Sequence, residues 1–418
     1  MVRAENINPA ILVWARETAG LTLPQAAERL GLSSSTRQTA EEKLVALESG
    51  DVKPTRNQLL KIATVYHRPL TSFYRASPPV VAERGEDFRT IAGGVSREEA
   101  ALLDALLRDI RARQDMVRAI LEDDEDVRRL PFVGSMTIRE PVVAAACRIK
   151  KTLGIEDNQG LGRGQNSNDD LFRALRARVE AIGVFVLLAG NLGSHHTNIS
   201  ERVFRGFAVA DEIAPFIVIN DQDAAPARSF TLIHELAHIF VGSTGVSGAP
   251  TTVDPNTPLE RVERFCNDVA GEFLLPEASL VDFAKIDGVE QAQSVIADIA
   301  ASRNVSEAMV AYRFWRTGRI DAGDYRKLFT IYASRWSQIR KRRRELAREA
   351  ESSSGPSYYT VRKHRLGSAL VNLVGRALRA NELTHTKAAK VLGVKPSNVE
   401  PLLRGFESAA GSFNPERG

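Results

Sequence analysis

The stretch FTLIHELAHIFV, residues 230–241, decides how this chain is read. It places His234, Glu235 and His238 in an HExxH pattern among Leu, Ile and Phe, the composition of an amphipathic helix. Positions i and i+4 share one face of a helix, so both imidazoles can reach a single tetrahedral ion. Glu235 lies about 100° further round, where it can poise a water beside that ion. The bland alternative is a pair of hydrogen-bonded histidines on a buried helix, so the rest of the site has to be sought.

A catalytic metal usually has three protein ligands and keeps one position open. The next helical stretch, TPLERVERFCNDVAGEFLLP at 257–276, offers two carboxylates. Thr257, Pro258 and Glu260 form a helix start, with Glu260 returning to Thr257 as a capping box. Glu263 sits on the flank of an apolar stripe of Leu259, Val262, Cys266, Val269, Ala270 and Phe273. An unpaired charge there costs free energy that a metal would remove; the alternative is an ion pair with one of the many arginines. Asn267, one turn on, is placed to hydrogen-bond a ligand histidine. Cys266 reads as packing, and His195 and His196 as solvated residues of a Gly, Ser and Asn loop.

Outside this core the chain is long enough, at 418 residues, for two to four domains. Its two cysteines, Cys147 and Cys266, form no CxxC pair, which argues against a disulfide framework and fits the cytosol. Charged residues interrupt the first thirty positions, and no apolar run is long enough for a bilayer, so no membrane role is expected. A net charge of +4 says little about partners. Local clustering says more: residues 335–348 hold Arg335, Arg340, Lys341, Arg342, Arg343, Arg344 and Arg348 against Glu345, a block suited to a phosphate backbone or to a solvated helix.

Cap and turn residues predict short helices over 10–18, 23–30, 40–48 and 56–66, the rhythm of a helix-turn-helix bundle. An extended connection follows, through Pro78, Pro79 and the Asp87, Phe88, Arg89 stretch. Residues 96–125 and 140–153 read as helical packing material. The runs at 183–189 and 204–220 read as strands of a small mixed sheet, the second with a turn at Asp211 and Glu212. Helix returns over 298–341, a Ser and Gly linker lies at 352–356, and helices over 366–380, 384–392 and beyond Pro396 repeat the opening rhythm. The expected fold is α+β and mostly helical. Its segments are a helix-turn-helix domain at 1–76, a linker and packing region at 77–155, a domain carrying the HExxH helix at 156–330, and a basic helix with a helix-turn-helix-like domain at 331–418.

FTLIHELAHIF, followed by Glu263, Asn267, Ala270, Leu274 and Pro276 in their spacing, resembles the ImmA/IrrE family of bacterial metallopeptidases. The opening INPAILVWARETAGLTLPQAAERLG, with LESG, RPLTSFY, PP and DFR after it, is similar to the repressor-type (Cro-like, XRE) helix-turn-helix often fused to that family. Phe265, Cys266, Val269, Phe273 and Leu275 depart from the family pattern of Glu, Ala, Phe, Leu and Met, and none of these removes a ligand. The resemblance implies a zincin-like metallopeptidase domain with zinc on His234, His238 and Glu263 and with Glu235 as general base; an N2O site also takes manganese or iron. It further implies site-specific cleavage of a DNA-binding repressor or antitoxin in a stress, phage or mobile-element response. The competing expectation is a non-enzymatic regulator or antitoxin that binds DNA or a toxin and uses the metal as a structural clip. Two carboxylates, Glu41 and Glu42, open the helix that would read bases and would repel phosphate, so the first bundle suits a protein partner as well as DNA. The tail, with Lys387, Lys390, Lys395, Ser397 and Asn398, is the more basic candidate.

Overall fold

The computed structural model describes residues 3–79, 95–123, 127–155, 167–194, 197–247, 257–349 and 357–404. The Asp87 stretch, the 352–356 linker and both His195 and His196 lie outside these residues. The chain divides into two compact units, residues 1–110 with 191–204 and residues 111–190 with 205–418. This division differs from the four segments read from the sequence, because residues 132–155 share one core with the sheet and the HExxH helix.

In the first unit, α1 (Pro9–Thr18), α2 (Leu23–Arg29), α3 (Ala40–Glu48) and α4 (Arg56–Val65) follow the cap residues closely. Asn8 caps α1, and Thr22, Thr39 and Thr55 each head a complete capping box, so every helix has its first orphan N–H groups satisfied locally. Their apolar faces close over Ile11, Leu12, Ala26, Leu44, Leu59, Ile62 and Phe73. Arg16 on α1 grips Glu48 at the end of α3 through two hydrogen bonds of 2.8 and 3.1 Å. Helix α5 (Arg97–Glu122) follows, and its residues from 111 onward count with the second unit.

The second unit is built on a four-stranded sheet among the described residues. Helices α6 (Val142–Thr152) and α7 (Asn168–Ala181) precede strands β1 (Phe185–Leu188), β2 (Gly206–Val209) and β3 (Phe216–Ile219). Helix α8 (Ala225–Val241) is followed by the short strand β4 (Gly245–Ser247). The sheet order is β1-β3-β2-β4, with β1 parallel to β3 and the other pairs antiparallel. The β2–β3 turn falls at Asp211, as expected, because its Oδ1 accepts from the N–H groups of both Ile213 and Ala214 at 2.8 Å. Strand β4, unforeseen in the sequence, is too short to show alternation.

Helix α9 (Pro258–Leu274) starts on the Thr257–Glu260 capping box and packs along α8 and α6. The region expected to return to helix over 298–341 holds three helices: α10 (Val289–Arg303), α11 (Glu307–Arg316) and α12 (Ala322–Glu349). Left-handed Asn304 ends α10 and Ser306 caps α11, local chemistry that splits the run. The tail comprises α13 (Tyr358–Leu366), α14 (Ser368–Arg379), α15 (His385–Leu392) and α16 (Val399–Leu403). The helix expected over 366–380 begins later, at Ser368. Buried Glu180, paired with Arg176 at 3.0 Å, accepts the Ser368 N–H at 3.0 Å and so anchors the first turn of α14.

Two ion pairs, one of them buried, fix α9 against α11. Arg316 binds Asp268 with both guanidinium arms at 2.7 and 2.6 Å, and Tyr312 donates to the same carboxylate at 2.7 Å. Arg313 pairs with Glu272 and donates through Nε to the Leu275 carbonyl at 3.1 Å, satisfying the C-terminal end of α9. Arg313 and Glu272 are both buried. Removing one partner strands the other charge, so Arg313→Met is expected to lose about 3–5 kcal/mol of stability in urea denaturation. Arg326→Ala on the exposed side of α12 is expected to stay within about 0.5 kcal/mol of the parent.

Candidate metal centre

The sequence suggests an amphipathic α8, but residues 231–240 are buried without interruption. The helix packs against β2, β3, α7 and α9, so it has no solvent face. The polar groups of His234, Glu235 and His238 must therefore find partners inside the protein. His234 Nε2 and His238 Nε2 face each other at 3.0 Å; Glu263, reaching over from α9, puts Oε1 3.1 Å from His238 Nε2 and Oε2 3.4 Å from His234 Nε2. Tetrahedral ligation with bonds of about 2.0–2.2 Å puts ligand atoms about 3.3 Å apart, and these three separations fit such an edge. The three side chains form a group able to hold a metal ion.

Electrostatics agree with that use at His234 and Glu263, while at His238 burial lowers the pKa but the neighbouring Cys266 and Glu263 outweigh it and raise it well above the ordinary value, so a cation there would have to displace a proton. Burial lowers the His234 pKa, which keeps the imidazole neutral as a ligand must be. Burial alone would raise Glu263, yet His238 and His234 beside it hold its carboxyl well below the ordinary range, so it is a carboxylate. At Glu235 burial outweighs the same help from His238. Glu235 is wholly buried, neither of its oxygens has a hydrogen-bond partner, and burial pushes its pKa up to about 8. A divalent cation beside it would favour the charged form.

The local chain path supplies contacts that sequence reasoning missed. Gly242 ends α8 in the left-handed conformation at φ 77°, and a Cβ there would come within 3.0 Å of the Gly134 Cα. The reversal returns Ser243 to the helix, where its Oγ lies 2.9 Å from His238 Nδ1. The next residues run back along β2 and bring Ser247 Oγ to 2.9 Å from His234 Nε2. Asn267, expected to orient a histidine, is buried and exerts a small raising influence on the His234 pKa, while His234 Nδ1 makes no hydrogen bond. Cys266 is buried in the core, and its thiol lies beside His238. A glycine in a strand interior signals close approach of another group. Gly206 of β2 is such a position, since a Cβ there would meet Glu235 Oε1 and Thr231 Cγ2, each at 2.7 Å.

Residues 183–314 match the Peptidase_M78 family model, the IrrE N-terminal-like domain. The match runs from just before β1 to α11 and contains His234, Glu235, His238 and Glu263. It points to a peptidase, and M78 peptidases are metallopeptidases, which accords with the trio. No curated protein and no solved structure matches the chain. No helix among the described residues is long and apolar enough to cross a membrane.

The residues read as nucleic-acid contacts lie apart from the M78-like region in sequence. Arg340, Lys341, Arg342, Arg343 and Arg344 are all on α12, where Lys341 and Arg342 are exposed and Arg340 is half-buried. The side chains of Arg343 and Arg344 lie outside the described ones. Arg335, counted with the basic block, is paired with Glu307 at 2.7 Å.

Gly206→Ala forces either Glu235 or β2 to shift. Equilibrium urea unfolding is expected to show a loss of about 1–3 kcal/mol, as for overpacking in a filled core. An unchanged midpoint would mean that the carboxylate yields its position freely.

Proposed function

We propose that this chain is a zinc-dependent, site-specific endopeptidase of the cytosol, with the metal on His234, His238 and Glu263. The observation that carries the reading is Glu235. A structural clip has no use for a base, whereas a carboxylate buried beside the trio with neither oxygen hydrogen-bonded is a base held ready. A bound zinc would acidify a water and polarise the scissile carbonyl. Glu235 takes the proton from that water and passes it to the leaving amine nitrogen. Glu263 and the two histidines are pre-set by the packing of α9 on α8, so little reorganisation is needed. Manganese or iron would suit the same donors.

As substrate we propose a DNA-binding repressor or antitoxin of the helix-turn-helix type, on the strength of the family resemblance. The first bundle, α1 to α4, is proposed as a helix-turn-helix domain that docks this partner. Glu41 and Glu42 are exposed at the start of α3, which favours a protein surface over phosphate. The tail helices present exposed Lys387, Lys390 and Lys395 and are the proposed place for DNA contact, together with Lys341 and Arg342.

Elemental analysis of the purified full chain is expected to find about one zinc per molecule in the parent and in Glu235→Gln, with the metal lost from His238→Ala and Glu263→Ala while circular dichroism stays unchanged. The Glu235→Gln protein, used as bait with cross-linking and mass spectrometry, is then expected to retain a helix-turn-helix partner that the parent cleaves and that a chelator protects. Activity surviving in Glu235→Gln within about tenfold of the parent would overturn the assigned role of this residue.

A further inference from the structure

Ser247 lies against one of the three proposed metal ligands. Its Oγ lies 2.9 Å from His234 Nε2, the same nitrogen that faces His238 at 3.0 Å and Glu263 at 3.4 Å. All three separations fit edges of one coordination polyhedron. The hydroxyl also lies close enough to Glu235 to act on its carboxyl, although burial remains the larger influence there. Ser247 is buried, and its hydroxyl contacts a ligand histidine.

We infer that Ser247 blocks the site in its resting form by placing its hydroxyl oxygen at the fourth ligand position, so that β4 must shift before a water can enter. This inference rests on the reading of His234, His238 and Glu263 as metal ligands. The chemistry follows from the lone pairs. In the metal-free protein the hydroxyl and the imidazole share one hydrogen bond. Once the Nε2 lone pair is committed to an ion, the hydroxyl loses that acceptor; its oxygen turns to the ion and its hydrogen to the Glu235 carboxylate, whose oxygens have no hydrogen-bond partner. The same two contacts, to ion and to base, are those a nucleophilic water needs. Release is local. Strand β4 has three residues and, among the described residues, pairs with β2 alone at the end of the sheet, so its displacement breaks few of these hydrogen bonds.

The test uses the full chain loaded with cobalt or manganese. Ser247→Cys in the cobalt form is expected to gain a thiolate-to-cobalt charge-transfer band beyond any background from Cys266, which is present in the parent as well. Ser247→Ala in the manganese form is expected to increase water-proton relaxation by the contribution of one further exchangeable water, and to raise basal cleavage of the partner. A parent that binds neither ion sinks the metal reading itself. If the parent binds both but Ser247→Cys shows no new band and Ser247→Ala leaves relaxation unchanged, the ligand reading stands and the self-blocking role of Ser247 falls.

Discussion

Helix α8 lies against β2 and β3 on one side and against α9 on another, so the polar groups of His234, Glu235 and His238 have no water to meet them. Burying such groups without partners costs free energy, and the fold answers that cost in two ways. The histidines face each other and the Glu263 carboxylate, an arrangement that one cation would satisfy at once. Glu235 is left unsatisfied. Buried unpaired polar groups in native proteins tend to mark function, and this one is next to the only metal-capable trio found among the described residues.

Holding that arrangement requires α9 to be rigid. Glu263 stands in its first half, while the second half is clamped by Asp268 and Glu272 to the arginines of α11. Tyr312 joins the two regions: its hydroxyl binds Asp268, and its ring meets Phe230 of α8 edge-on at 6.3 Å between centroids. Such contacts fix where the third donor sits relative to the first two. A ligand set assembled from two helices is only as well defined as the packing between them.

Small residues set the other boundary of the site. Gly206 lets the Glu235 side chain lie on the sheet, and Gly242 turns the chain sharply enough for Ser243 to reach back to His238. The reversal then places β4 beside β2 and Ser247 against His234. These are backbone consequences: they follow from a left-handed residue and an antiparallel register.

What the sequence determined by itself was governed by local chemistry. The HExxH spacing put two imidazoles on one helix face, the Thr257–Glu260 box started α9, Asp211 turned the hairpin, and threonine caps opened the helices of the first unit. Glu263 stood out because a carboxylate beside an apolar stripe needs an explanation. Only the tertiary structure decided that α8 is buried on every side, that residues 132–155 belong to the same core, and that β4 exists at all. Ser247 was invisible for the same reason: a three-residue strand has no periodicity, and its meeting with His234 depends on a chain reversal and a sheet register that no local pattern encodes.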